Sequence, residues 1–181
     1  RRSEAWARDQ YVYARIEFNV PLKVSRMNKS NSEKLEILKE LHLNQQQAPH
    51  ANATNEHYCR RWIAVKNLMN LKENETVTDA QISHYKDSGL TYLVLSTSQK
   101  NPFSDGTNRS YCLGILLNST SLKKITFAKS DRIKTVNVGV TCEFCSIPNC
   151  EVRQAQPLRL EKEIFNENMK KSILMIKKDM M

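Results

Sequence analysis

Three cysteines fall within nine residues in the run Cys142-Glu143-Phe144-Cys145-Ser146-Ile147-Pro148-Asn149-Cys150, a C-x2-C-x4-C spacing. Thiolates are soft ligands, and three of them on a segment that Pro148 keeps from being helical can converge on one soft metal centre, a zinc ion or an iron-sulfur cluster. A fourth ligand has to come from elsewhere in the chain. Cys59 is the first candidate and His57 the second, both in Asn55-Glu56-His57-Tyr58-Cys59-Arg60-Arg61-Trp62. Cys112 lies in an apolar stretch, where a free cysteine behaves as a small buried hydrophobe, and is left out of the set. His57 and Cys59 also invite a cysteine-nucleophile reading, with the imidazole lowering the thiol pKa. One such pair among five Cys and four His is expected by chance, so the chain is read as a non-enzyme.

Around these residues the basic side chains Arg60, Arg61, Lys66 and Lys72, with Trp62 among them, have the chemistry to grip a phosphate-bearing ligand: guanidinium forks match phosphate oxygens and an indole stacks on a base. No Gly-rich phosphate loop is present in a chain with only four glycines, and none of His42, His50, His57 and His84 has metallopeptidase spacing. The net charge of +9 is compatible with a polyanionic partner, but it is dispersed, and Lys162 to Lys178 carries both signs, as a solvated helix face does.

The elements that must position these residues follow from periodicity. Tyr11 to Val20 alternates like a strand; Ser30-Asn31-Ser32-Glu33 has capping-box spacing ahead of Leu35, Leu38 and Leu41, which predicts a helix over about 32–42. A second capping box, Thr78-Asp79-Ala80-Gln81, predicts a helix to about Asp87 that Gly89 ends. Leu90–Ser98, Arg109–Asn118, Lys123–Lys129 and Ile133–Thr141 read as strands joined by short turns, hence antiparallel neighbours, and Leu160 to Asp179 reads as a terminal helix. That helix packs on the sheet or on a partner, a homodimer being one such arrangement. The expected fold is α+β: a single antiparallel sheet flanked by helices, a GAF/PAS-like sensor domain with a C-terminal helix. The expected divisions are an N-terminal strand/helix segment (1–43), a loop or linker (44–56), the cysteine-containing sensor domain (57–158) and the C-terminal helix (159–181).

At 181 residues, 40% hydrophobic and 26% charged, the chain has the composition of one folded domain, which excludes collagenous and wholly disordered classes. It has no apolar run of membrane-spanning length and no signal peptide, and five cysteines are an odd number for a disulfide scaffold. The expectation is a reducing compartment, the cytoplasm, with no membrane partner. The Asn-x-Ser/Thr sequons are the chance yield of a chain rich in those residues. The missing initiator Met points to a fragment of something longer.

The run from Cys142 to Cys150, continued by Glu151-Val152-Arg153-Gln154-Ala155-Gln156-Pro157, resembles the C-x-x-C-x-x-x-x-C-x-x-R-A-x-P-P signature that closes the C-terminal domain of the short-chain fatty-acyl transcriptional regulators. Cys59-Arg60-Arg61-Trp62 is similar to that family's upstream C-P-x-W, and Arg109-Ser110-Tyr111 sits where the family has an Arg before a core strand. The resemblance spans about residues 55–158. Arg60 stands in place of the family's Pro, and Gln154 and Gln156 in place of Ala and the first Pro. The resemblance implies a bacterial regulator's sensor domain that responds to an acyl-CoA, holds a 4Fe-4S cluster on Cys59, Cys142, Cys145 and Cys150, and meets DNA only through a helix-turn-helix outside this chain. Arg61, Trp62 and Arg109 are the candidate ligand residues. The alternative is a zinc-stabilised nucleic-acid-binding module. Against it stand 7% aromatic residues and no stretch that reads as a recognition helix.

Overall fold

The computed structural model describes residues 22–30, 34–43, 57–100 and 107–179. The strand expected over Tyr11–Val20 and the loop over 44–56 lie outside them. Six strands pair in the order β2-β1-β5-β4-β3-β6. They are β1 (Leu22–Lys29), β2 (Leu35–Leu43), β3 (Thr76–Tyr85), β4 (Thr91–Lys100), β5 (Asn108–Leu116) and β6 (Thr135–Val138). The helices are α1 (Ile63–Asn70), α2 (Ser119–Lys124), a 3-10 turn at Thr126–Lys129 and α3 (Leu158–Asp179). The protein is therefore mixed α+β with a C-terminal helix.

Each face of the sheet has its own apolar cluster. Met27 and Cys112 lie under Ala64, Val65 and Leu68 of α1. On the other face Leu22, Leu93, Leu113 and Ile115 lie under Ile125 and Ala128, beside α2 and the 3-10 turn. Asn118 caps α2, accepting from the N–H groups of Thr120 (3.0 Å) and Ser121 (2.8 Å), while the Ser121 hydroxyl accepts from the Asn118 N–H.

Four expected elements are corrected. The segment read as a helix over 32–42 is β2, paired with β1 and closed by Ser30 N–H donating to the Lys34 carbonyl at 3.0 Å. Leu35 and Ile37 pack towards α1, whereas Leu38 and Leu41 are exposed, so the leucines do not form one stripe. The segment from Thr78 is β3, antiparallel to β4, and Gly89, at φ +69, lies in the turn between them. A helix cap is worth about 1 kcal/mol, while burial of one leucine such as Leu93 contributes about 2 kcal/mol, so sheet packing overrides the capping pattern. Lys123–Lys129 is the end of α2 and the 3-10 turn, which buries Ile125 and Ala128 at a spacing of three. The sheet is not wholly antiparallel, because β6 pairs parallel with β3.

α3 presents Leu158, Phe165, Met169, Ile173 and Ile176 as a stripe at helical spacing, all about half exposed. Its first turn is held by Arg159, whose N–H donates to the Glu143 carbonyl (3.2 Å) and whose guanidinium lies 3.9 Å from Asp87.

Candidate functional site

The chain leaving β6 runs alongside the segment before α1. Cys59 N–H donates to the Val140 carbonyl (3.0 Å), Cys142 N–H donates to the His57 carbonyl (2.8 Å), and Tyr58 and Thr141 form a bridge. This short pairing carries Cys59 to the three-cysteine loop. Cys59, Cys142, Cys145 and Cys150 all line one small cavity, together with Thr141 and Arg153. None of the four is in a disulfide.

The loop is strapped by Arg153, whose guanidinium donates to the carbonyls of Cys142 and Ile147. Gly139 is required by contact: a Cβ there would stand 2.7 Å from Cys145 Sγ and 3.1 Å from its Cβ. Two sulfurs receive backbone donors, Gly139 N–H to Cys59 Sγ and Gln154 N–H to Cys142 Sγ, each at 3.4 Å. Such donors stabilise a thiolate. Burial nonetheless pushes the Cys59 and Cys145 thiols up, against the opposing backbone N–H bonds, so both stay protonated without a cation beside them.

The Thr141 side chain is fully buried at this cavity, and its hydroxyl has no hydrogen-bond partner among the described residues. The donor set, the N–H groups aimed at sulfur and this orphaned hydroxyl fit a thiolate-bound group. As the side chains stand, no three of the described His, Cys, Asp and Glu residues meet the geometry of a metal site.

His57 is engaged elsewhere. Its Nδ1 lies 2.7 Å from Glu143 Oε1, and its backbone N–H donates to both Glu143 oxygens at 3.2 Å. Burial works against the Glu143 charge, but the bonds from the His57 ring and backbone outweigh it and hold this carboxyl below the usual range. Cys112 sits apart in β5, where Ser110 Oγ approaches its sulfur at 3.7 Å.

The three candidate ligand residues are not brought together. Trp62 directly precedes α1, stacks on Tyr58 and donates its indole N–H to the Gly139 carbonyl at 2.9 Å. Arg61, next to it, reaches the Asn137 carbonyl at 3.5 Å. Arg109 belongs to the odd-numbered side of β5, with Leu113 and Ile115, on the face away from α1; it donates to Asn28 Oδ1 and the Tyr111 hydroxyl.

Sequence reasoning missed a second cavity, between α1 and the sheet, that Trp62 also lines. It contains a Lys23–Glu40 ion pair, both side chains less than one-fifth exposed, with Lys23 Nζ 5.6 Å from the Trp62 ring centre. No spacing rule marks two charges on neighbouring strands as partners in a chain with 47 charged residues apart from His. Alternation from Leu35 and Ile37 would turn Glu40 outward; the β-bulge between the Met27–Ile37 and Arg26–Lys39 pairs brings it to the face that carries Lys23.

A family model described as short-chain fatty acyl coenzyme A regulator, C-terminal, matches residues 40–174, roughly three-quarters of the chain. Nothing among curated proteins or solved structures matches it. The chain belongs to that regulator family.

Proposed function

We propose that this regulator C-terminal domain is the ligand- and cofactor-sensing part of a bacterial transcription factor. It responds to an acyl-CoA, carries a cofactor on Cys59, Cys142, Cys145 and Cys150, and contacts DNA through a domain outside this chain. The observation that carries the reading is the convergence of four thiols, with Cys59 separated by 83 residues from Cys142, on one cavity with backbone donors to two of the sulfurs. A 4Fe-4S cluster bound there supplies a redox-sensitive centre; zinc, the alternative, supplies a rigid tie. The strand order with helices on both faces supports the GAF/PAS-like description. No helix among the described residues is long and apolar enough to cross a membrane.

Trp62 links ligand and cofactor regions. Its indole N–H holds the carbonyl of Gly139, and the Gly139 N–H is the donor to Cys59 Sγ, so a shift of the ring moves a group that touches a candidate cofactor ligand. Anaerobic purification with metal analysis is the direct test. A brown sample with about four irons per chain supports the cluster, and a colourless one with stoichiometric zinc supports the alternative. Metal content that stays the same, or is absent, in both wild type and a Cys142→Ser/Cys145→Ser variant removes the cysteine site. Calorimetric titration with acetyl-CoA and propionyl-CoA tests the ligand, and absence of heat with the metal-loaded protein removes it.

A further inference from the structure

The cavity under α1 exists because the sheet carries small side chains where a core would carry large ones. Ser25 of β1 faces Cys112 of β5, Gly114 of β5 faces Lys23 and Val94, and Ser83 of β3 faces Tyr92. All of these line the space, and Ala64 closes it from the helix side with another small side chain. Its walls are otherwise apolar and aromatic, formed by Met27, Ile63, Val94 and the rings of Trp62, Tyr85 and Tyr92. The Lys23–Glu40 pair faces the same space. A charged pair this sheltered beside unfilled apolar volume is a poor way to build a core, since hydrophobic residues of similar size would stabilise it as well or better. The combination is that of a small-molecule pocket: apolar walls and a few convergent polar groups.

The charge arithmetic of the cavity restricts what it holds. Among the described residues that line it, the charged side chains are Lys23 and Glu40, which sum to zero, so a neutral ligand enters without breaking that pair. An ammonium has three N–H donors, so Lys23 can serve Glu40 and a ligand carbonyl oxygen at once, while the alkyl portion lies against Met27 and Val94. A carboxylate would set a second negative charge beside Glu40 in a sheltered place, which is strongly disfavoured. We propose that this cavity seats the acyl group of a short acyl thioester, and that Glu40, by neutralising Lys23, makes it select the neutral thioester over the free carboxylate. The proposal rests on the acyl-CoA reading above and adds to it a location and a discrimination.

Titration of the 181-residue chain with propionyl-CoA, CoA and sodium propionate, followed by calorimetry and, in a Trp6→Phe background, by Trp62 fluorescence, tests it. Wild type is expected to bind propionyl-CoA at least tenfold more tightly than CoA and to ignore propionate. Gly114→Val and Ala64→Leu, which fill the space from opposite walls, should bring propionyl-CoA down to the affinity of CoA while leaving CoA binding unchanged. Circular dichroism melts identify any variant that fails to fold, and the other then decides. Glu40→Gln, which alters charge and not volume, should strengthen propionate binding by tenfold or more. Propionyl-CoA binding undiminished in the folded filled variants overturns the cavity assignment and leaves the acyl-CoA reading standing. Wild type that binds propionate as well as propionyl-CoA overturns the discrimination, and wild type that binds no propionyl-CoA overturns both.

Discussion

The cysteine corner and the cavity under α1 are neighbours joined by one tryptophan, yet they are built by opposite means. The corner is loop: its residues are placed by backbone hydrogen bonds between distant segments, Cys59 to Val140 and His57 to Cys142, and by the Arg153 strap. The cavity is regular structure, placed by strand register and by what the side chains at five or six positions leave unfilled. Two glycines condense the difference. Gly139 is there because Cys145 stands where its side chain would be; at Gly114 the nearest atoms to an added Cβ are at 3.6 Å, ordinary contact, so that glycine serves to leave room.

That contrast can be broken by measurement. The largest effect is expected for Gly139→Ala: the Cβ must displace Cys145, and overpacking of this kind costs roughly 1–3 kcal/mol. Urea unfolding should report the loss, and faster thiol labelling at Cys145 should localise it. Next comes Trp62→Phe, which orphans the Gly139 carbonyl and removes a 2.9 Å bond, for about 1–2 kcal/mol. Both regions should respond to it, and a variant whose cysteine labelling is unchanged would disprove the link between them.

A third, smaller effect tests the cavity wall by pH. Burial, against hydrogen bonds from Ser96 and Ser110, pushes the Cys112 thiol above its ordinary 9.0. A raised folded pKa contributes stability that is complete below the unfolded value and lost as pH rises from about 9 through the folded one, by at most about 1.4 kcal/mol per pH unit. Cys112→Val should flatten that alkaline slope relative to wild type, as read by unfolding midpoints at pH 8 to 10. Smallest of all is Gly114→Ala, expected to stay within about 0.5 kcal/mol of wild type because the new methyl meets only ordinary contacts. A loss as large as that of Gly139→Ala would erase the distinction between the two glycines.

The same contrast governs what could be read from the sequence. A C-x2-C-x4-C run is local, so its chemistry is visible without a fold, and β4, β5 and α3 announce themselves through Val, Leu, Ile and Tyr at strand or helix period. β3 is hidden because polar residues interrupt both of its faces: Gln81 and Ser83 are buried on the side that carries Tyr85, and Ile82 packs into the core on the other, so no apolar alternation competes with the capping box. Buried serines conceal the rest of that face as well: Ser96, Ser98 and Ser110 satisfy one another at 3.0 Å and so sit inside without a hydrophobic signature. The residues that disguised a strand are of the kind that leave space beneath α1. A cavity made by the absence of bulk has no motif.

α3 leaves the cysteine loop as a rod. Its 22 residues span about 33 Å, and among the described residues only its first turn is tied down, by Arg159 to Glu143 and Asp87. Glu143 directly follows Cys142, so the fulcrum of the rod is one peptide away from a candidate cofactor ligand. Ten degrees of tilt at that base sweeps the far end through about 6 Å, which turns sub-ångström adjustments around the thiols into displacements the size of a side chain.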